Sequence, residues 1–285
     1  MVRRALVLGA GGHAANAWEL GVIVGLADAG IDVRNADLFV GTSAGSSVAV
    51  QITSGLALEE LFQTQVDPKL QTKEPVPAVD FRQWRASYVH AKEGAGGTID
   101  ILKRLGSLGL AMPSASESER RNMIASRLPV RTWPGQKVLV VAVDADSGDR
   151  RAFDQASGVD LIDAVTASSA VPGIWPLVTI EGHRYMDGGV YSIDNADLAA
   201  GYDQVLILTL RARVPPICVV SLETAIETLR DGGARVEVVF PDDTTEATFA
   251  SVGGNVLDPS VREGAARAGR EQGHGAAVLA GPLWR

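Results

Sequence analysis

Short apolar runs rich in β-branched residues alternate along the chain with longer segments of helical periodicity. Predicted strands occupy residues 5–8, 38–41, 137–143, 150–153, 177–180, 204–208 and 235–240. Predicted helices occupy residues 14–29, 43–54, 58–65, 99–105, 116–127, 159–170, 222–231 and 259–272. Several strands are continuously apolar, as expected when both faces of a sheet are covered. The pattern predicts an α/β fold with three layers, α/β/α, around a mostly parallel central sheet.

Residues 67–131 interrupt this alternation. The segment has no clear strand pattern and has a glycine-rich break at 94–97. Its prolines include Pro68, Pro75, Pro77 and Pro113. We predict a helical insertion over the core, within a single domain that spans residues 1–285. In a mostly parallel sheet the active site is expected at the carboxyl ends of the strands.

Composition and charge exclude several classes of function. The chain has 285 residues, of which 46% are hydrophobic, enough for a sizeable core. A net charge of −8 argues against nucleic acid as a partner and against strong electrostatic binding to anionic membranes. Cys218 is the only cysteine, so no disulfide can form within the chain. One cysteine and four scattered histidines also lack the ligand spacing of a zinc site.

Targeting and membrane-spanning segments are not recognisable. The basic residues Arg3 and Arg4 are followed by a short apolar run that stops at Gly9, too short for a signal peptide. No apolar stretch reaches the ~18 residues that span a membrane. We expect a cytoplasmic protein for which peripheral membrane contact stays open. The oligomeric state does not follow from the sequence.

A serine between two glycines stands at a strand-to-helix junction. Gly41-Thr42-Ser43-Ala44-Gly45 follows an apolar strand and precedes a helical segment. This context is typical of a nucleophile elbow, in which a tight turn lifts the serine hydroxyl above the sheet. The free N–H groups of the helix N-terminus then point at any anion formed there. The alternative is a tight turn in which Ser43 only caps the helix.

A glycine loop, Gly9-Ala10-Gly11-Gly12, follows the first strand and opens a helix. A P-loop is excluded, because no Gly-Lys-Ser/Thr follows. A dinucleotide fingerprint lacks its acidic partner at the end of the second strand, where Ser43 stands instead. The third interpretation is an oxyanion hole made of backbone N–H groups, beside Ser43 if the first two strands are neighbours. The alternative is that the loop is only a tight turn between strand and helix.

Asp187-Gly188-Gly189 taken alone is most often a turn. Together with the glycine loop and the elbow, in this order, it makes the chain resemble the patatin-like phospholipases, a family of lipid acyl hydrolases. Residues 168–176 are also similar to the segment that precedes the family's aspartate. The resemblance extends from residue 5 to about residue 210 and is weaker over 255–273.

The resemblance implies a serine–aspartate dyad that cleaves a carboxylic ester of a lipid without metal or cofactor. Ser43 would be the nucleophile and Asp187 its base, with an acyl-enzyme intermediate. Gly11 and Gly12, together with His13, would form the oxyanion hole. The family's loop usually carries Arg or Lys after its glycines, whereas here His13-Ala14-Ala15-Asn16 follows. This departure keeps open a weakly catalytic or non-catalytic lipid-binding regulator on the same fold.

Other candidate residues have simpler interpretations. His274 is the one late histidine that could serve a Ser-His-Asp triad, and its glycine neighbours predict a loop. We expect His90 to be solvated, His183 to lie on a turn surface and Trp18 to pack in the core. Residues 144–149 are predicted to form a hairpin turn rather than a calcium site.

Two further predictions concern later segments. Asp194, Asn195 and Asp197 are expected to cap the next helix. The insertion is expected to supply an apolar acyl channel or lid, with Trp84, Tyr88 and Leu108 as its candidate residues. The remaining rival class, a nucleotide-dependent oxidoreductase, rests on the glycine loop alone.

Overall fold

The computed structural model describes residues 2–72, 74, 77, 80–111, 115–211 and 219–284. Cys218, Pro75 and Pro113 lie outside the described residues. The strands are β1 Arg4–Leu8, β2 Leu38–Thr42, β3 Val138–Asp144, β4 Arg150–Phe153, β5 Val178–Ile180, β6 His183–Asp187, β7 Gln204–Leu208 and β8 Arg235–Val239. The α-helices are α1 Gly12–Asp28, α2 Ala44–Ile52, α3 Leu58–Val66, α4 Phe81–Lys92, α5 Thr98–Ala111, α6 Glu117–Arg127, α7 Leu161–Ser168, α8 Leu222–Asp231, α9 Asp243–Ser251 and α10 Arg262–Trp284.

These strands form one mixed sheet in the order β5-β6-β3-β2-β1-β7-β8, with β4 paired to β3. The run from β3 through β2, β1 and β7 to β8 is parallel. Strands β4, β5 and β6 add antiparallel pairs at the β3 end. The predicted α/β class, with a mostly parallel central sheet, is confirmed.

Alternate residues of the parallel strands face two separate cores. On β1, Leu6 and Leu8 point into a cluster with helices α1 and α10, whereas Ala5 and Val7 point into one with α8. All four are fully buried. Helices thus cover both faces of the sheet, and this explains why the strands are continuously apolar.

Helices α1 and α10 cross at very close range through glycines on both partners. A Cβ at Gly25 would collide with the Arg270 carbonyl oxygen, and one at Gly273 with the Val22 carbonyl oxygen. Backbone therefore touches backbone, and α10 reaches through Gly269 to the carbonyl of Trp18. Trp18 is fully buried, as predicted, and its indole N–H donates to Gln272 Oε1 at 2.8 Å.

Most predicted elements recur with small shifts of their ends, but α5 extends six residues and α10 twelve residues past the predicted end, and one strand and two α-helices were missed. Strand β6 was not assigned separately from the turn before it, and α4 and α9 were not predicted. Helix α9 carries three threonines, which have low helix propensity, and begins at an Asp242 cap that accepts from Thr245 N–H. The loop predicted at His274 is wrong, because α10 continues to Trp284.

Within the described part of 67–131, the regular elements are the helices α4, α5 and α6. Helix α5 is anchored on the sheet, where Leu102 and Leu105 pack with Val143 and Met186. Helix α4 is anchored through Trp84, whose indole N–H donates to the Pro172 carbonyl oxygen at 2.9 Å. The helical character of the segment agrees with the prediction, while its status as an insertion stays a prediction.

The α1–α10 crossing generates a matched pair of substitutions on one helix. Gly273→Ala places a methyl group against the Val22 carbonyl, so we expect it to destabilise the fold by about 1–3 kcal/mol. Gly275→Ala adds a methyl group with no atom within 4 Å, so helix propensity should make it neutral or stabilising. Urea unfolding of both variants measures the difference. Equal effects of the two substitutions would contradict the close crossing.

Candidate active site

Ser43 lies at a sharp turn between β2 and α2, with φ 54° and ψ −112°. A non-glycine residue with positive φ is uncommon and strained. The flanking glycines allow the turn to close. A Cβ at Gly45 would collide with the Leu8 carbonyl oxygen, and one at Gly41 would lie 2.5 Å from Ser46 Cα. The backbone therefore has the geometry expected of a nucleophile elbow.

Hydrogen bonds on both sides hold this turn. The Ser43 N–H donates to Ser168 Oγ at 2.9 Å, and the Ser46 hydroxyl donates to the Ser43 carbonyl oxygen at 2.6 Å. Gly45 N–H donates to the Gly9 carbonyl oxygen at 3.1 Å, which ties the elbow to the glycine loop. Ser168 is fully buried at the end of α7. Sequence reasoning gave it no role of its own.

Strand register places Asp187 at the same level of the sheet as Thr42, the residue before Ser43. Thr42, at the end of β2, lies opposite Val141 of β3, and Asp187, at the end of β6, lies opposite the next residue, Ala142. Gly188 then passes over β3 so closely that a Cβ would collide with the Val141 carbonyl oxygen. The two glycines after the aspartate thus let the chain turn against the sheet.

Asp187 is 4% exposed and has few partners that stabilise its charge. Burial raises its pKa to about 6, against the lowering effects of a hydrogen bond with the Ser43 side chain, the Gly189 amide and the charge of Arg120. The Gly189 N–H donates to Asp187 Oδ1 at 2.7 Å. A carboxylate with this pKa is ionised at neutral pH and is a better proton acceptor than an exposed aspartate.

Asn195 joins the elbow to the loop after Asp187. Its side-chain N–H groups donate to Thr42 Oγ1 at 3.1 Å, to the Ser192 carbonyl at 2.8 Å and to the Gly188 carbonyl at 3.4 Å. The predicted capping role is therefore wrong for its side chain, which makes no capping bond. Asp194 does cap, since its Oδ1 accepts from Ala196 N–H at 3.1 Å.

Asp197, the third residue predicted as a cap, instead forms a two-pronged ion pair with Arg150, with both N···O distances at 2.7 Å. The same guanidinium donates to Asn195 Oδ1 at 3.2 Å. Arg150, held by Asp197, thus positions the carbonyl oxygen of the Asn195 side chain. Position in sequence suggested capping for all three residues, and only tertiary contacts separate their roles.

The glycine loop, residues 9–12, lies next to both Ser43 and Asp187. Gly11 and Gly12 have φ of 156° and 60°, and both line a cavity that Ser43 and Asp187 also line. Because α1 begins at Gly12, the N–H groups of its first turn have no acceptor within the helix. The predicted pairing of β1 with β2 as parallel neighbours is confirmed and places this loop beside the elbow.

His13 is buried in a positive environment. Burial, and then the charges of Arg127, Arg262 and Arg120, lower its pKa to about 2, so the imidazole is neutral. Its Nε2 lies 3.9 Å from Glu74 Oε2. His13 therefore does not replace the positive charge that the glycine loop lacks.

Two cavities meet at Ser43. The larger, about 570 Å³, is bordered mainly by apolar side chains, among them Trp84, Tyr88, Ile174, Phe249 and Leu257. The smaller, about 30 Å³, is bordered by apolar side chains such as Trp175 and Leu257 and by the charged side chains of Arg120 and Arg127. Leu108 lines neither cavity and packs with the cluster around α5.

The other histidines lie elsewhere. His274, on α10, faces Asp28 with Nε2 3.3 Å from its Oδ2. His183 is exposed on β6 and contacts Asp144 at 3.0 Å, and His90 is exposed beside Glu93. None of these three borders either of the two cavities described at Ser43. The turn predicted at 144–149 is confirmed, since β3 and β4 pair antiparallel on either side of it.

Comparison with known proteins decides the family. A family sequence model described as patatin-like phospholipase matches residues 6–200, more than half of the chain. The chain belongs to the patatin-like phospholipase family. It is accordingly an enzyme of the lipid acyl hydrolase class. Among curated proteins no sequence matches it.

Solved structures of this patatin-like fold include VipD from Legionella pneumophila. The similarity has a TM-score of 0.50 and 11% sequence identity, and covers 98% of this chain and 67% of VipD. The type III effector protein ExoU is similar with a TM-score of 0.42 and 11% identity, over 98% of this chain and 53% of ExoU. This chain thus spans about two thirds of the VipD chain and about half of the ExoU chain.

Among the residues that the structure describes, no helix has both the length and the apolar character needed to cross a membrane.

The raised pKa of Asp187 predicts a pH-dependent stability. Since its pKa is about 6 in the folded state and about 4 in the unfolded chain, ionisation penalises the fold increasingly as pH rises from 4 to 6. The side chain introduced by Asp187→Asn cannot ionise. The free energy of unfolding of this variant should therefore exceed that of wild type above pH 6, by up to ~3 kcal/mol. Urea unfolding at pH 4.5 and 7.5 measures this. A difference independent of pH would contradict the raised pKa.

Proposed function

We propose that this patatin-like phospholipase hydrolyses carboxylic esters of lipids through a dyad of Ser43 and Asp187. The observation that carries the proposal is the buried Asp187 carboxylate, with its raised pKa, bordering the same cavity as a serine on a strained elbow. Strained backbone and a shifted pKa at one cavity are features of catalytic sites.

The chemistry would proceed in two steps. Ser43 Oγ attacks the ester carbonyl carbon as Asp187 takes its proton, and collapse of the tetrahedral intermediate releases the alcohol, which receives that proton. Water then attacks the acyl-Ser43 ester and gives its proton to Asp187. The bond between the acyl carbon and Ser43 Oγ breaks, the fatty acid leaves, and Asp187 returns the proton to Ser43 Oγ. No metal or cofactor takes part in this scheme.

Backbone amides of the glycine loop are proposed to hold the oxyanion. Gly11, Gly12 and His13 lie at the N-terminus of α1, where free N–H groups and the helix dipole favour a negative oxygen. Their role stays a prediction from the sequence. What supports it is the shared cavity of Gly11 and Gly12 with Ser43.

The larger cavity is proposed to take the acyl chain. Its volume of about 570 Å³ and its apolar border suit an aliphatic chain, and helix α4 supplies Trp84, Tyr88 and Val89 to it. We therefore also propose the segment 67–131 as an insertion that completes the acyl site within a single domain. We also propose that helices α4 and α5 contact a lipid surface, because Val89 on α4 is 52% exposed and Leu110 on α5 is 50% exposed.

The alternative is a lipid-binding regulator with little or no catalysis. The observation that favours it is the neutral His13, which leaves the glycine loop without a cation. Such a protein would bind acyl chains in the larger cavity and show no turnover that depends on Ser43.

Substitution of the dyad tests the proposed function against this alternative. Hydrolysis of medium-chain p-nitrophenyl esters should fall by at least ~10³-fold in Ser43→Ala and in Asp187→Asn, because each removes one member of the nucleophile–base pair. The measurement is kcat/KM, with circular dichroism to verify folding.

Asp194→Asn is the matched control for the base. Asp194 is 2% exposed and burial also raises its pKa to about 6, but it does not border either cavity at Ser43. This variant should keep most of the activity. Activity that survives in Ser43→Ala would reject the dyad, and a folded wild type without activity would favour the regulator.

A further inference from the structure

A buried cluster of charged side chains lies beside the elbow, outside the dyad and the glycine loop. Helix α6 contributes Arg120 and Arg127, and both border the small cavity of about 30 Å³ together with Ser43 and Gly12. Glu74 is the carboxylate of the cluster, and its side chain is 1% exposed. Charges placed this deep need partners, because desolvation is costly.

The charge of Glu74 is already matched by Arg127. The Arg127 guanidinium donates from Nε and from its NH2 group to the two Glu74 carboxylate oxygens. Arg120 approaches only one of those oxygens, and at 3.7 Å. Arg120 is therefore a second cation beside a carboxylate that has its own partner.

The rest of the cluster adds positive rather than negative charge. Arg262 is buried and donates to the neutral acceptors Gln65 Oε1 at 3.0 Å and the Thr64 carbonyl at 3.0 Å. His13 is neutral. The described cluster thus has three guanidinium groups and one carboxylate, Glu74. Asp187 lies outside the cluster, but its charge acts on Arg120, and counting it leaves an excess of one positive charge at neutral pH.

Arg120 itself is held in place and incompletely bonded. It is 2% exposed, and its Cζ lies 3.9 Å from the centre of the Trp175 ring. The NH1 group contacts Met123 Sδ at 3.2 Å, whereas the buried Nε has no hydrogen-bond partner among the described residues. An unpaired buried donor is costly, so its retention points to a ligand that binds during function.

The size of the cavity limits that ligand. A volume of about 30 Å³ holds only about one or two oxygen atoms, because a single water needs ~10–15 Å³. A small group such as a single negative oxygen suits this volume. Burial lowers the pKa of Arg120 to about 9, so the guanidinium stays charged at neutral pH.

We propose that Arg120 is a further catalytic residue, whose guanidinium binds the carbonyl oxygen of the substrate as Ser43 attacks and that oxygen becomes negative. This inference rests on the proposed function. The Ser43 Oγ–carbon bond forms, the carbonyl π pair moves onto the oxygen facing Arg120, and the serine proton goes to Asp187. When the pair returns, the bond to the alcohol breaks. Arg120 of helix α6 thus supplies the positive charge that the glycine loop lacks.

The test compares two inhibitors with the same alkyl chain. A trifluoromethyl ketone forms a tetrahedral adduct with the serine and carries a negative oxygen, whereas the corresponding alkyl methyl ether only fills the acyl site. In Arg120→Met, affinity for the ketone should fall by about 10²–10³-fold, as for loss of one oxyanion-hole donor, while the ether binds as to wild type. Activity should fall through kcat with little change in KM.

Two further variants complete the test. Arg120→Lys keeps a positive charge without the planar guanidinium group and should lose less affinity for the ketone than Arg120→Met. If Arg120→Met does not fold, the ketone affinity of Arg120→Lys relative to wild type tests the proposal. Arg121→Gln is the matched control on α6, since Arg121 pairs with Asp160 and Asp163 at the surface. It should bind both inhibitors as wild type does.

Unchanged ketone affinity in Arg120→Met, or equal losses for ketone and ether, would overturn the proposal. Failure of the dyad itself gives a different result. In that case Ser43→Ala would bind the ketone as tightly as wild type does, whatever the effect of Arg120.

Discussion

The site depends on the strained turn at Ser43 and on the close backbone approaches that close it. A positive φ at a serine costs about 1–3 kcal/mol, which the surroundings must offset. Gly45 rests against the Leu8 carbonyl, and buried Ser168 and Asn195 fix the turn from two other elements. Strand β1, helix α7 and the loop after β6 therefore converge on one turn, residues 42–45, and the conformation of the elbow depends on all three.

The same arrangement determines the electrostatics. Parallel pairing of β2 with β3, and antiparallel pairing of β6 with β3, bring Asp187 beside the elbow, where burial raises its pKa to about 6. Proximity to Ser43 and burial are both consequences of this register. A carboxylate there destabilises the fold above pH 6, and in the proposed mechanism that same property makes it an effective base. Stability and activity thus oppose each other at this residue.

Much of the fold was predictable from sequence, because continuous apolar strands, helical periodicity and glycine punctuation are local signals. The three motif loops were also local, and the register confirms that their elements meet in space. Helix α9 escaped prediction because three of its nine residues are threonines, which have low helix propensity. The bonds of Asn195 and the burial of Arg120 join residues far apart in sequence, and no periodicity or motif encodes such contacts. The missing cation in the glycine loop was visible in the sequence, but not the residue that could replace it.

The most direct test of the account is the rate at which a fluorophosphonate labels Ser43 between pH 4.5 and 8, followed by mass spectrometry of the labelled peptide. If Asp187 activates Ser43, the rate should rise with pH through an apparent pKa near 6, since only the ionised carboxylate accepts the proton. In Asp187→Asn the rate should be low and independent of pH over this range. Labelling of another serine, or the same pH profile in both proteins, would contradict the central claim.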